Sequence, residues 1–393
     1  MKRILFILCF LGGMQPSLAQ GLLFHGSLRN SVYCYDSDEV HTRIYQYVRL
    51  SLSDANQVLS FQASGRALTD AQVELPDDQR FKAYTMNLAL RNPFNKKLNL
   101  VLGRQFLHPG TILGGLDGLD AQMRFTKSFS VQLYGGTQSS LLRQFKVNEP
   151  ERFIAGGLAQ LANVYGSTIQ GLYLQKSDQK GLLWQVSGVN LYSRLIPHTA
   201  LTMQVHFDLT NSSLHRLLLS TRHPVSDQLT LNFGFKHQAP QVYASSFFTI
   251  FELEGYNQMR AGASYELWPD YYLGCDYQLL LIEESIANKV YLHFSNDNGS
   301  LGMIYENGYS GDQIGVMFDY AYELIQDLIA SVYVDYTKYR TEEIYEYDNQ
   351  LGNAARLSYH LTKKLSIDVE YQWLSNPYKK QDSRLLNHLS FRW

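Results

Sequence analysis

After its first twenty residues the chain alternates apolar with polar or small residues in segments of about nine to eleven residues. The segment 199–209, for example, sets Leu201 and Met203 on one parity and Gln204 and His206 on the other. A period of two indicates a β-strand with one apolar and one polar face. Because about twenty such segments follow one another without a helical pattern, the sequence predicts an all-β fold.

The connections between these segments indicate how the strands are joined. If the carboxy terminus is fixed on one side, alternate connections such as 362–364 and 268–270 are short turns. The longer connections, such as 138–152 and 238–254, all fall on the other side. Short turns on one side and long loops on the other are typical of a transmembrane barrel. We therefore predict a single antiparallel up-and-down β-barrel of about 18–22 strands, with 22 as the best count.

The last nine residues, 385–393, form an amphipathic strand that ends on Trp393, with Leu389 and Phe391 on the same parity. A strand at the end of a chain leaves an unpaired edge unless another strand covers it. We expect residues 22–33 to do so. The pattern resembles the closing strand of bacterial outer-membrane barrels, and the resemblance implies that barrel-insertion machinery recognises this strand through Trp393.

The amino terminus predicts export. Two basic residues precede an apolar core at 4–13, and small residues at 17–19 supply a cleavage site. We interpret 1–19 as a secretory signal peptide and 20–393 as the barrel, which places the chain in the bacterial outer membrane.

Two cysteines, Cys34 and Cys275, remain after the predicted cleavage. They are two unpaired apolar residues or, as the alternative, a disulfide between distant parts of the chain. No Cys-x-x-Cys pair, Cys/His cluster or nucleotide-binding motif occurs. The sequence therefore predicts no metal site and no cofactor, and the charge balance gives no sign of nucleic-acid binding.

One stretch suggests a family. A predicted strand ends in Gly103-Arg104-Gln105, and Asp117-Gly118-Leu119-Asp120 opens the next strand. This pair of motifs resembles alginate-export-type porins, although the loop between them lacks the Trp expected there. The resemblance implies a pore lined by charged side chains that passes anionic polysaccharide. Pore lining is carried over to Arg43, Arg49, Asp120 and Arg124. Arg104 falls on the apolar parity, so we expect it at the rim or displaced by a bulge.

Charge is distributed unevenly along the chain. Residues 20–264 hold 22 Lys and Arg against 17 Asp and Glu, whereas residues 265–350 hold 3 against 16. One arc of the barrel is thus strongly acidic, and we expect basic residues to face it across the lumen. The alternative is that these charges only solvate a wide lumen. The predicted pore-lining residues are Arg29, Arg43, Arg49, Asp120, Arg124, Arg260, Asp276, Glu306, Asp319, Glu323 and Asp335.

We expect a channel, not an enzyme, for small polar solutes or saccharides. The order His293-x-Ser295-Asn296 is similar to the active strand of outer-membrane phospholipases, in which His activates Ser. The alternation, however, turns His293 and Ser295 toward the lumen, whereas a lipase acting on membrane lipid needs its nucleophile on the apolar wall.

A second alternative is a barrel with an adhesion or envelope-assembly role. In that case the lumen would be plugged by loops such as 67–79 or 238–254. The outer-membrane partners that we expect are lipid and lipopolysaccharide, with acidic loop residues such as Glu283 and Glu284 solvated or bridged to lipid phosphate by a divalent cation.

Overall fold

The structure is a computed structural model that describes residues 21–36, 40–93, 97–107, 114–139, 152–242, 255–309, 311–342 and 344–393. The predicted signal peptide lies outside these ranges, as does nearly all of the apolar stretch 242–253.

Within these ranges the chain forms 22 strands and one short helix, in an order that confirms the all-β prediction. The elements are β1 Leu22–Asp36, β2 Val40–Asp54, β3 Leu59–Asp70, α1 Asp77–Arg80, β4 Phe81–Arg91, β5 Leu98–Leu107, β6 Gly114–Arg124, β7 Phe129–Gln138, β8 Arg152–Val164, β9 Ser167–Asp178, β10 Gly181–Ser193, β11 Ala200–Asp208, β12 Ser213–Pro224, β13 Leu229–Gln238, β14 Tyr256–Trp268, β15 Tyr271–Ile282, β16 Ser285–Asn296, β17 Gly299–Gly308, β18 Asp312–Ile325, β19 Leu328–Arg340, β20 Asp348–Thr362, β21 Leu365–Ser375 and β22 Asp382–Arg392.

The sheet is closed. Each strand pairs antiparallel with the next one along the chain, and β22 pairs with β1 from Ser27 opposite Arg392 to Tyr35 opposite Arg384. Beyond the strand end, Gly26 and Trp393 exchange two backbone hydrogen bonds of 3.3 and 3.1 Å. The predicted pairing of the last strand with the first, which we call the seam, and the count of 22 strands are therefore confirmed, and each described strand has a neighbour on both sides.

The connections sort as predicted. At the end that holds both termini they are no longer than 92–97 and 194–199, and several are two-residue turns such as 269–270 and 326–327. Asp270 and Asp327 adopt left-handed backbone angles, φ 70° and 66°, which Asp tolerates in tight turns. The long connections, 139–151 and 239–255, lie at the opposite end.

The register assigns each side chain to one of two faces, because residues directly opposite each other share a face. The outer face carries large exposed apolar side chains, such as Leu133, Val189 and Phe391. The inner face carries most of the charged side chains of the strands. Eight inner-wall residues of β5–β10 near the long loops form a buried cluster, the inner apolar cluster: Leu107, Leu116, Tyr134, Ile154, Leu174, Leu183, Trp184 and Val186.

Candidate functional site in the barrel lumen

The register places all eleven predicted pore-lining side chains on the inner face. Arg29, for example, lies opposite Ser390 and Tyr47, and Asp319 lies opposite Ser300 and Tyr333. The members with an exposed side chain are Arg29, Arg49, Arg124, Arg260, Asp319 and Glu323, and those that are partly buried are Arg43, Asp120, Asp276, Glu306 and Asp335.

The inner face of β1–β3 combines arginine with tyrosine, and we call it the tyrosine–arginine wall (Tyr33, Tyr35, Arg43, Tyr45, Tyr47, Arg66). The guanidinium of Arg43 lies 5.3 Å from the ring centroid of Tyr35, and that of Arg66 lies 5.2 Å from Tyr45. Tyr33 and Tyr35 stack with centroids 4.9 Å apart. Cation–π contacts hold the guanidinium groups against the rings. The wall therefore offers ring faces and N–H donors to a hydroxyl-rich or anionic solute.

Asp70 holds the guanidinium of Arg43 against the tyrosine rings, and the sequence pattern did not identify Asp70 as a lumen residue. Its side chain is fully buried, and its Oδ2 accepts hydrogen bonds from Arg43 Nε at 3.2 Å and interacts with His41 Nδ1 at 3.0 Å. The backbone N–H of Gln72 donates to Oδ1 at 3.1 Å. Arg43 and Asp70 are directly opposite in the register of β2 and β3, which is a pairing that inspection of either strand alone does not show.

The acidic arc runs along the inner face of β15–β19. Ser300 Oγ donates a short hydrogen bond to Asp319. Tyr333 O–H donates to Asp335 Oδ2 at 3.1 Å, and Thr337 Oγ1 donates to Asp335 Oδ1 at 3.0 Å. Hydroxyl donors thus orient these carboxylates, which can attract cationic groups.

We expected the basic residues to face this arc across the lumen, and for Arg260 that expectation is wrong. Arg260 lies beside the arc, with its Nε 3.8 Å from Asp276 Oδ1 across the β14–β15 pair. Within the arc, Lys289 Nζ lies 3.3 Å from Glu306 Oε2. Direct cross-strand pairing therefore offsets part of the acidic charge, because opposite charges on neighbouring strands lie within ion-pair distance.

The strand order also corrects the geometry of the two walls. Three strands, β20–β22, separate the acidic arc from Arg29 on β1, so the basic and acidic walls lie on the same side of the barrel and do not face each other across the lumen. In a closed barrel of 22 strands the position opposite β17 is β6, whose inner face carries one acid and one base, Asp120 and Arg124. The charge of the lumen therefore varies around its circumference, and an acidic wall does not stand opposite a basic wall.

Several polar side chains on the inner face of β8–β11 are buried, including Lys176, Gln204 and Asp208. Asn190 and His206 are both fully buried, and His206 Nε2 lies 2.8 Å from Asn190 Oδ1. Above them, Trp184 Nε1 donates to Asp208 Oδ2 at 2.8 Å. These residues and the inner apolar cluster form a packed sector, whereas the exposed charges of the acidic arc and the seam form an open one.

Arg104 belongs to the wall of the barrel, not to the lumen. Its Nε and Nη2 donate to Asp117 Oδ1 and Oδ2 at 2.7 and 2.8 Å, and both side chains are 7% exposed. Its Nη1 also donates to the backbone carbonyl of Ala83 at 3.3 Å. The register keeps Arg104 on the apolar parity, opposite Met86 on β4 and Asp117 on β6, so no bulge displaces it. The ion pair with Asp117 accommodates its charge there.

The residues of the lipase-like order also lie where the alternation predicts, with His293 and Ser295 on the inner face. The imidazole of His293 stacks on Tyr291 with centroids 5.2 Å apart and lies against Gly274. Cys34 and Cys275 are free, so the disulfide alternative is excluded. In the ranges that the structure describes, no group of three or more His, Cys, Asp or Glu side chains is arranged to hold a metal ion. No helix there is long and apolar enough to cross a membrane.

No family model matches the chain, and no curated protein does. Three of the solved structures that it resembles are OccK3 (OpdO) and the outer membrane protein OpdK of Pseudomonas aeruginosa, and OccAB2 of Acinetobacter baumannii. Their identities to this chain are 12%, 10% and 10%, and their TM-scores are 0.45, 0.47 and 0.46. The alignments cover 96%, 95% and 96% of this chain and 97%, 98% and 99% of the others. At these values the likenesses identify no solute for this chain.

Proposed function

We propose that this chain is an outer-membrane channel that passes small polar solutes or saccharides through a charged lumen. One observation carries the proposal: a closed barrel with an apolar outer face exposes Arg49, Arg260 and Asp319 on its inner face. An Arg or Lys on the lipid side would cost about 2–4 kcal/mol at the membrane midplane. A water-filled lumen avoids that cost, so the distribution of charge fits a wet interior and a lipid-covered exterior.

The eleven inner-face charges would line the pore, and their arrangement suggests how it selects. The tyrosine–arginine wall presents donors to anionic or hydroxyl-rich groups, and the acidic arc attracts cationic groups. Because only three strands separate the two, a solute on the seam side of the lumen meets a field directed around the wall, which orients dipolar solutes. Small polar solutes and saccharides match this surface.

Placement in the outer membrane requires export and insertion. We assign residues 1–19 to a cleaved signal peptide and the strand ending at Trp393 to recognition by the barrel-insertion machinery. Outer-membrane lipid and lipopolysaccharide would then cover the apolar outer face. The motif residues behind the alginate-export resemblance, Arg104 and Asp117, form a buried pair in the wall. They give no support to alginate as the solute.

The proposal is tested by reversing charge in the lumen. Asp319→Lys with Asp335→Lys changes the acidic arc by four charge units, and the reversal potential in a salt gradient across a planar bilayer reports the effect. We expect a shift toward anion permeability. Glu283→Lys with Glu284→Lys makes the same net change in the loop between β15 and β16 and serves as the matched control. An unchanged permeability ratio in the lumen variant would contradict the proposal.

The alternative of a plugged barrel that acts through its loops has one observation in its favour, which is the packed inner sector. Leu174, Val186 and His206 point inward and are almost completely buried. A barrel whose lumen is packed throughout would be electrically silent, whereas a channel beside the packed sector conducts. Conductance of the purified chain therefore separates the two functions.

A further inference from the structure

The outer face near the seam carries three amide side chains among apolar ones: Asn30 on β1, Gln46 on β2 and Asn387 on β22. In the register Asn30 lies opposite Gln46 on one side and opposite Leu389 on the other. Asn387 lies opposite Val32, which is the next outer-face residue after Asn30. The three amides are thus neighbours, and we call them the seam amide patch.

The patch lies within the band that lipid would cover. Trp393 contacts Phe24 and Phe391, with ring centroids 6.0 and 5.6 Å away, and this aromatic group marks the membrane interface at the end with the termini. A tilted strand crosses the hydrocarbon in about 9–11 residues. Asn30 is six residues beyond Phe24, and Asn387 is four residues from Phe391, so both lie inside the band.

These amides lack partners among the described residues. None of the three side chains makes a hydrogen bond there. All three residues are half-buried, and within Asn30 the Oδ1 atom itself is buried, so Gln46 and Asn387 present the accessible amide groups. Hydrocarbon offers no donor or acceptor, so an amide in that position is unfavourable until another polar group meets it. By contrast, Gln175 and Gln185, outer-face amides on β9 and β10, hydrogen-bond to each other at 3.2 Å.

The neighbouring strand allows close approach. On the β3 side, Ala67 lies opposite Gln46 and Gly65 lies opposite Val48, so the outer-face side chains there are small. An amide carries both donors and an acceptor and has no charge, and a patch of amides is therefore complementary to a copy of itself. Polar residues and small residues together are what close contacts between membrane-embedded protein surfaces use.

We propose that a second copy of this chain packs against the seam amide patch and supplies the missing hydrogen bonds. The proposal rests on the membrane placement of the proposed function, but it does not depend on conduction. In the proposed dimer the two copies contact each other through the seam side of the barrel.

The first test measures association of the full chain in lipid vesicles, by counting fluorophore bleaching steps per particle over a range of protein-to-lipid ratios. Replacing Asn30, Gln46 and Asn387 together with Leu makes the outer face more apolar, so the barrel stays compatible with lipid. Each hydrogen bond between membrane segments is worth about threefold in affinity, and loss of the patch should weaken association about tenfold or more. The control Gln175→Leu with Gln185→Leu should associate as the parent does.

The second test uses the two native cysteines as reporters. Cys34 is an outer-face residue of β1, four residues from Asn30, whereas Cys275 is on the outer face of β15, away from the seam. A bis-maleimide should cross-link copies of the Cys275→Ser chain through Cys34, and it should leave the Cys34→Ser chain uncross-linked.

A parent that stays monomeric at every density overturns the proposal, as does an oligomer that survives the triple Leu change or cross-links only through Cys275. If the parent chain associates but does not conduct, the result counts against the proposed channel function and leaves the proposed association in place.

Discussion

Replacing Asp117 with Asn removes the charge that neutralises Arg104 inside the barrel wall. The change keeps the shape of the side chain but weakens two charge-assisted hydrogen bonds of 2.7 and 2.8 Å. Arg104 is 7% exposed, so its charge stays buried beside a neutral amide. Removing one partner of a buried ion pair typically costs about 3–5 kcal/mol of stability, and we expect a loss of that size.

The control is Asp368→Asn on β21. Arg356 Nη2 lies 2.7 Å from Asp368 Oδ1, and although the Asp368 side chain is only 13% exposed, that of Arg356 is 41% exposed and reaches solvent. A pair of this kind contributes about 0–1 kcal/mol, so the same Asp→Asn change should cost far less than at Asp117. The two variants share the Asp→Asn change and an Arg partner at 2.7 Å, but they differ in burial and in having two hydrogen bonds against one.

The assay is equilibrium unfolding of the barrel in phospholipid vesicles, with guanidinium as denaturant and the fluorescence of the 4 tryptophans as signal. Arg104→Met combined with Asp117→Leu should recover most of the stability lost in Asp117→Asn, because apolar side chains can replace a buried pair without an unpaired charge. If Asp117→Asn costs no more than Asp368→Asn, the account of a buried wall pair is refuted.

Three further changes test the seam and the inner face. Gly26→Ala should slow folding, because a Cβ there would lie 2.2 Å from the ring of Trp393. The gel shift between heated and unheated protein measures the folded fraction over time, and Gly171→Ala, whose Cβ would have no atom within 4 Å, is the control. Equal folding rates of the two variants would contradict the packing of Trp393 on Gly26. Deleting Arg392 and Trp393 should reduce the protein recovered in the outer membrane, since it removes the Gly26 backbone bonds; normal assembly would undermine the seam. Ser295→Ala should leave lipid hydrolysis at the parent's background, and loss of a measurable parent activity would revive the lipase interpretation.

The barrel was predictable because its physical determinants are local. A period of two assigns each residue to a face, and turns between antiparallel strands are short wherever no loop function lengthens them. Leu389 and Phe391 therefore identified the closing strand, and its end fixed the side on which every short turn had to fall. The same parity placed Asp319 and Arg49 on the inner face without knowledge of their neighbours.

The partners of these residues were not predictable, because they depend on register between strands. Arg43 meets Asp70, and Arg260 meets Asp276, only once neighbouring strands are aligned. Arg104 shows a second limit: it stays on the apolar parity, and its partner Asp117 is identified only by the register of β5 and β6.

The packed inner sector marks a third limit. His206 follows the polar parity of a lumen residue, yet it is fully buried and hydrogen-bonded to Asn190. Alternation distinguishes the inside of a barrel from the outside, but it does not distinguish an inner wall covered by water from one covered by protein.

Single-channel recording of the purified chain in a planar bilayer tests the central claim most directly. The open, charged sector beside the packed one predicts stepwise, ohmic conductance that appears on insertion of each barrel. Bilayers that contain inserted, correctly folded protein and stay silent at all applied voltages would contradict the channel and support the plugged barrel.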